Sequence, residues 1–106
     1  MTIATKEFEA LFKEYPLYSQ ENNKDPLVVA KLFDPYGAAT WYLTEYDPEE
    51  KIAFVYVVDL VPGIHELGNI SIEEIESIEF APGVPRIEQD LHFEQKTLSE
   101  IKASLK

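Results

Sequence analysis

Apolar residues recur along the chain in distinct rhythms, and each change of rhythm marks a change of element. In TKEFEALFKEYP, Phe8, Leu11, Phe12 and Tyr15 fall at i, i+3, i+4 and i+7, with Thr5 placed as N-cap and Pro16 as the stop. This predicts an amphipathic helix with one face on the core. YSQENNKDP is polar and rich in turn formers, hence a loop. LVVAKLF, bounded by Pro26 and DPYG, predicts a strand followed by a tight turn. Residues 39–46 predict the next strand, ended by DPEEK. IAFVYVVDL has the most continuous apolar run, Ile52 to Val58, the pattern of a strand buried on both faces and central in its sheet.

VPGIHELG reads as a turn punctuated by Pro62, Gly63 and Gly68. ISIEEIESIEF then shifts to helical spacing: Ser71 and Glu74 form a capping box, Ile72, Ile75 and Ile78 line one face, and Glu73, Glu76 and Glu79 stay outside. APGVP breaks that helix, and RIEQDLHF alternates as a further strand. TLSEIKASLK predicts a closing helix with a second capping box, Thr97 and Glu100. Its buried stripe is Leu98, Ile101 and Leu105, and Lys102 and Lys106 suit the negative end of the dipole. The expected class is α+β, a mixed or antiparallel sheet of about four strands with three short helices packed on it, in a single domain of residues 1–106.

Charge adds to this picture. The net charge is −11, and the segment from Leu32 to Pro85 holds eleven acids against one base, Lys51, so it alone carries −10. Such a field repels phosphates and anionic lipid, so direct binding to nucleic acid or membrane is not expected. It suits a basic protein partner, a cation, or plain solvation of an acidic surface. The chain has no cysteine, so thiolate metal sites and disulfides are out, and the expected compartment is the cytoplasm. The charged N-terminal stretch and the short apolar runs exclude a signal peptide and a membrane-spanning helix.

Candidate chemistry is sparse. His65 stands beside Glu66, and Asp90 two residues before His92; a histidine and a carboxylate on one strand face are the minimum for a metal site or for proton transfer. No H-E-x-x-H or H-x-H accompanies them, so metal binding at His65 or His92 is not the favoured reading, and no cofactor is expected. Asp59 with Glu66, and Glu45 with Asp47, are carboxylate pairs of the kind hydrolases use. No G-x-S-x-G occurs, and the glycines are scattered singly. Alternation puts Trp41 and Leu43 on the core face of their strand and Tyr42 and Thr44 on the other, where a partly wet tyrosine face rimmed by Glu45 and Asp47 has the composition of an interaction site.

KLFDPYGAATWYLTEYDPEE, VDLVPGIHELGNISIEEIESI and RIEQDLHF, in that order, resemble a bacterial family of unknown function found on plasmids, phages and integrated elements. The resemblance spans roughly residues 27–93. It rests on Ala39-Thr40-Trp41, Leu43-Thr44-Glu45, Asp47-Pro48, Asp59-Leu60, Glu66-Leu67-Gly68, and Glu88 with Asp90-Leu91 and Phe93. It implies a cytoplasmic accessory protein of a mobile element and brings no catalytic residue. The function expected is therefore a non-enzymatic protein-binding module that uses Tyr42, Glu45, Asp47, Glu73, Glu76 and Glu79, and presents negative charge to a basic nucleic-acid-binding partner. The competing expectation is a small metal-assisted hydrolase built on Asp59, Glu66, Asp90 and a histidine. Oligomeric state is not legible in these residues.

Overall fold

The computed structural model describes residues 3–105. Helix α1 (Lys6–Leu11) is followed by strands β1 (Leu27–Val28), β2 (Ala30–Phe33), β3 (Thr40–Asp47), β4 (Ile52–Val58) and β5 (His65–Ser71). Then come α2 (Ile72–Glu76), β6 (Glu79–Ala81), β7 (Val84–Pro85), β8 (Glu88–Gln89), β9 (Lys96–Thr97) and α3 (Leu98–Ser104). The class is α+β, as expected. The main sheet is antiparallel, has five strands in the order β5-β4-β3-β2-β8, and is joined by two small ladders, β1 with β9 and β6 with β7.

Helices cover both faces of the sheet. On one face Leu32, Trp41, Leu43, Tyr46, Ala53 and Val55 pack against Phe8 and Phe12 from the α1 end and Ile72 and Ile75 from α2. On the other, Val28, Tyr42, Tyr56 and Val58 pack against Leu98 and Ile101 of α3. Burial of each such aliphatic side chain is worth about 1.5–3 kcal/mol, which is what holds so short a helix as α3 in place. Its start carries the full capping box: the Thr97 side chain accepts from Glu100 N–H, and the Glu100 carboxylate accepts from Thr97 N–H at 3.0 Å. Thr5 likewise caps α1 by accepting from Phe8 N–H.

Four of the expected elements are corrected. The central strand is β3, not β4: residues 41–46 are all buried, whereas β4 alternates. β3 hides this because Thr44, Glu45 and two tyrosines interrupt its apolar pattern. Secondly, HELGNIS is not a turn but the seven-residue edge strand β5, in continuous register with β4 from Val58↔His65 to Ile52↔Ser71. Thirdly, the acidic helix ends at Glu76, because Glu79 enters the β6–β7 hairpin; only half of the Ser71 box forms, the Ser71 hydroxyl accepting from Glu74 N–H. Finally, RIEQDLHF keeps only β8 as strand, since the Asp90 carboxylate accepts from His92 N–H and turns the chain. At the helix ends, Leu11 and Leu105 are exposed rather than part of a buried stripe, and Lys106 lies outside the described residues.

A bulge between Leu43 and Glu45 shifts the β3 register, so that Glu45 pairs with Phe54 and Tyr46 with Ala53. It keeps Tyr46 on the α1 face, where its ring meets Phe8 edge-on at 5.0 Å, and sends Glu45 to the α3 face. No described helix is long and apolar enough to cross a membrane.

Candidate functional site

The acidic residues divide by what their carboxylates hold. Glu45 is buried, 5% exposed, and its two oxygens accept from Tyr18 N–H and Gln20 N–H, each at 2.8 Å. It fastens the loop after α1 onto the sheet. Glu76 accepts from Ile3 N–H at 2.6 Å and Ala4 N–H at 3.0 Å, tying the chain start to α2. Asp47 accepts from Glu49 N–H and shapes the β3–β4 turn, and Glu79 accepts from Gly83 N–H across the β6–β7 turn. Tyr42 is only 7% exposed under α3; burial raises its hydroxyl pKa. The partly wet tyrosine face is thus a covered one, because α3 lies on it.

Other acids stay in water, and the fold gathers them. Ile72 N–H donates to Lys51 C=O at 2.9 Å, and Lys51 Nζ lies 3.7 Å from Glu73, so the β3–β4 turn sits against the start of α2. Glu49 and Glu50 of that turn and Glu73 and Glu74 of α2 are all exposed around the single base Lys51. Lys51 itself holds φ 55°, the left-handed conformation that lets the turn close. The result is an acidic end of the sheet, assembled from segments more than twenty residues apart in the chain.

The residues of the hydrolase reading are not assembled. Asp59, at φ 58°, accepts from Gly63 N–H at 2.9 Å, and His65 Nε2 lies 3.6 Å from its carboxylate. Glu66 follows His65 on β5 and so projects from the opposite face of the sheet. Asp90 and His92 follow β8 at the far edge, about 19 Å away at ~4.8 Å per strand spacing. There Asp90 is 3.9 Å from Lys31 Nζ. Among the described residues no three His, Cys, Asp or Glu side chains are grouped to hold a metal ion.

The α3 face also carries a cleft of about 450 Å³ between the loop after α1, α3 and strands β3 to β5. Phe54, Leu67 and Leu98 supply its apolar lining, Thr44, Asn69 and Gln20 its polar groups, and Lys24 and Lys102 its positive charge. Gln20 is itself a structural strut: its Nε2 donates to Leu27 C=O at 2.8 Å and Thr44 C=O at 2.7 Å, and its Oε1 accepts from Leu27 N–H at 2.7 Å. The sequence signals neither the cleft nor the role of Gln20. A glutamine in a polar loop carries no signal of burial.

Comparison with known proteins gives one match. The model of a family described as "Protein of unknown function (DUF2958)" fits residues 2–104, and the chain belongs to that family. No curated protein and no solved structure matches it.

Proposed function

We propose that the chain is a non-enzymatic, cytoplasmic, protein-binding accessory of a mobile genetic element, which docks its acidic end on a basic nucleic-acid-binding protein. The observation that carries this reading is the gathering of Glu49, Glu50, Glu73 and Glu74 around Lys51, with none of the four glutamates tied into the core. Clustered exposed charge raises the association rate of a complementary partner and repels phosphate-bearing competitors. The dispersal of Asp59, Glu66 and Asp90 weighs against the hydrolase alternative.

The test compares wild type with a Glu49→Gln, Glu50→Gln, Glu74→Gln variant in affinity capture from a bacterial extract, at low and at physiological salt. Basic nucleic-acid-binding proteins should be held by the wild type, released as salt rises, and lost from the variant. Retention of the same proteins by both chains at both salt levels would overturn the proposal.

A further inference from the structure

The outer edge of β5 is the least protected feature of the fold. Two backbone bonds, Asp59 N–H to Ile64 C=O at 3.1 Å and Ile72 N–H to Lys51 C=O at 2.9 Å, frame the β4–β5 ladder. With the pairing Val57↔Glu66, Val55↔Gly68 and Ala53↔Ile70, they set its parity: Glu66, Gly68 and Ile70 turn their backbone groups to β4. His65, Leu67 and Asn69 turn theirs outward, where no described residue takes them up. Edges are ordinarily blunted by shortness, proline, lysine or a bulge. The opposite edge, β8, has two residues; β5 has seven, with no proline, lysine or bulge and Glu66 as its single acid.

We infer that β5 pairs antiparallel with β5 of a second copy, about a twofold axis at Leu67, so that two five-stranded sheets become one of ten. The register follows from the side chains. Centring on Leu67 sets it against its own counterpart and His65 against Asn69 on the α3 face; on the other face it sets Glu66 against Gly68 and Ile64 against Ile70. Leu67 and Ile64, 51% and 46% exposed, each gain an apolar neighbour, and no like charges stand directly opposite, the two Glu66 carboxylates being diagonal across Gly68. A twofold at Glu66 would oppose two carboxylates, and one at Gly68 would set Ile70 against Glu66. An isologous patch has to be self-complementary, and only the Leu67 register of these is so.

Two net charges of −11 repel, so dimerisation should strengthen with added salt, the reverse of docking on a basic partner. That opposition separates this inference from the proposed function. The chain has no cysteine, which allows a register-specific probe. With oxidised glutathione as oxidant, Leu67→Cys should form a disulfide-linked dimer, because directly opposed Cα atoms lie about 5.5 Å apart. Asn69→Cys should not, because its counterpart is four residues off register, about 14 Å. By sedimentation velocity the wild type should pass from one chain to two as concentration rises, and Leu67→Lys should weaken association at least ~tenfold with its circular dichroism unchanged. A wild type that stays at the mass of one chain up to ~1 mM, or equal crosslinking of the two cysteine variants, would overturn the inference.

Discussion

Glu45→Ala is the most informative single change, because it removes a buried carboxylate that the chain uses as a clamp. The side chain sits on the bulge of β3 and takes N–H bonds from Tyr18 and Gln20, both at 2.8 Å. Tyr18 holds φ 70°, a conformation that costs a non-glycine residue about 1–2 kcal/mol. The clamp therefore also maintains strained backbone. Hydrogen bonds to a charged group are worth about 1.5–3 kcal/mol each. Tyr18 is exposed and its N–H can turn to water, whereas Gln20 is buried and its N–H is stranded. The expected loss is ~3–5 kcal/mol, or roughly 12–20 °C in Tm at about 4 °C per kcal/mol for a domain of this size. Glu45→Gln retains one acceptor oxygen and should lose about half as much. Urea unfolding followed by Trp41 fluorescence measures the loss, and limited proteolysis between residues 17 and 25 reports release of the loop. A loss under ~1 kcal/mol, or unchanged cleavage of the loop, would refute the clamp.

Trp41 is 2% exposed, so its emission should be blue-shifted and resist iodide, and Trp41→Ala should cost about 3–5 kcal/mol in the same denaturation assay. The Tyr46 hydroxyl is buried with no hydrogen-bond partner, so Tyr46→Phe should leave stability unchanged or raise it by ~1 kcal/mol. Burial first, then Glu9 and Glu76, pushes the Tyr46 pKa up to about 12. The unfolded group ionises near ~10, so the wild type should lose stability as pH rises from ~10 towards 12, and Tyr46→Phe should not show that part of the loss in a Tm-versus-pH series. Burial opposes ionisation of Asp34, but its bond from Arg86 Nε at 2.8 Å and the Tyr36 N–H outweigh it and lower the pKa. A lowered pKa means stability present above ~3.9 and lost as pH falls through the folded value. Asp34→Asn should flatten the acid limb of the stability profile.

What was legible in advance was local. The apolar run LVVAKLF marks β1 and β2 and IAFVYVV marks β4, and Thr5, Ser71 and Thr97 mark helix starts by chemistry that acts within three residues. What was hidden depended on distant partners. β5 is hidden because Pro62, Gly63 and Gly68 read as turn punctuation; with β4 beside it His65–Ser71 extends into a ladder, and an edge strand exposed on both faces has no alternation to show. Glu45, expected on the rim of a partly wet tyrosine face, is buried for a reason equally hidden in the sequence. Only the return of a loop more than twenty residues earlier covers it, and only the bulge turns it to the face where that loop lies. Tyr42 was placed on the correct face, but the face is dry because α3, from the other end of the chain, lies on it.

The division among the carboxylates bears on how such a surface could work. Glu45, Glu76, Asp47 and Glu79 each accept backbone N–H groups and so shape the fold, Glu45 from a buried position and Glu79 from an exposed turn. Glu49, Glu50 and Glu74 hold nothing among the described residues, and Glu73 faces Lys51 only through an exposed pair worth little. A change that neutralises the first group would alter stability and binding together and report on neither. Neutralising the second should leave the unfolding curve within ~1 kcal/mol while removing the field that a basic partner would feel. The acidic end is therefore an electrostatic feature separable from the fold that carries it. The same separation holds for the β5 edge, whose outward backbone groups at His65, Leu67 and Asn69 take no part in the β4 ladder. Asn69→Pro would remove an outward N–H and leave that ladder intact, so a loss of dimer with an unchanged Tm, compared at dilutions where the wild type is a single chain, would locate the contact at the edge itself.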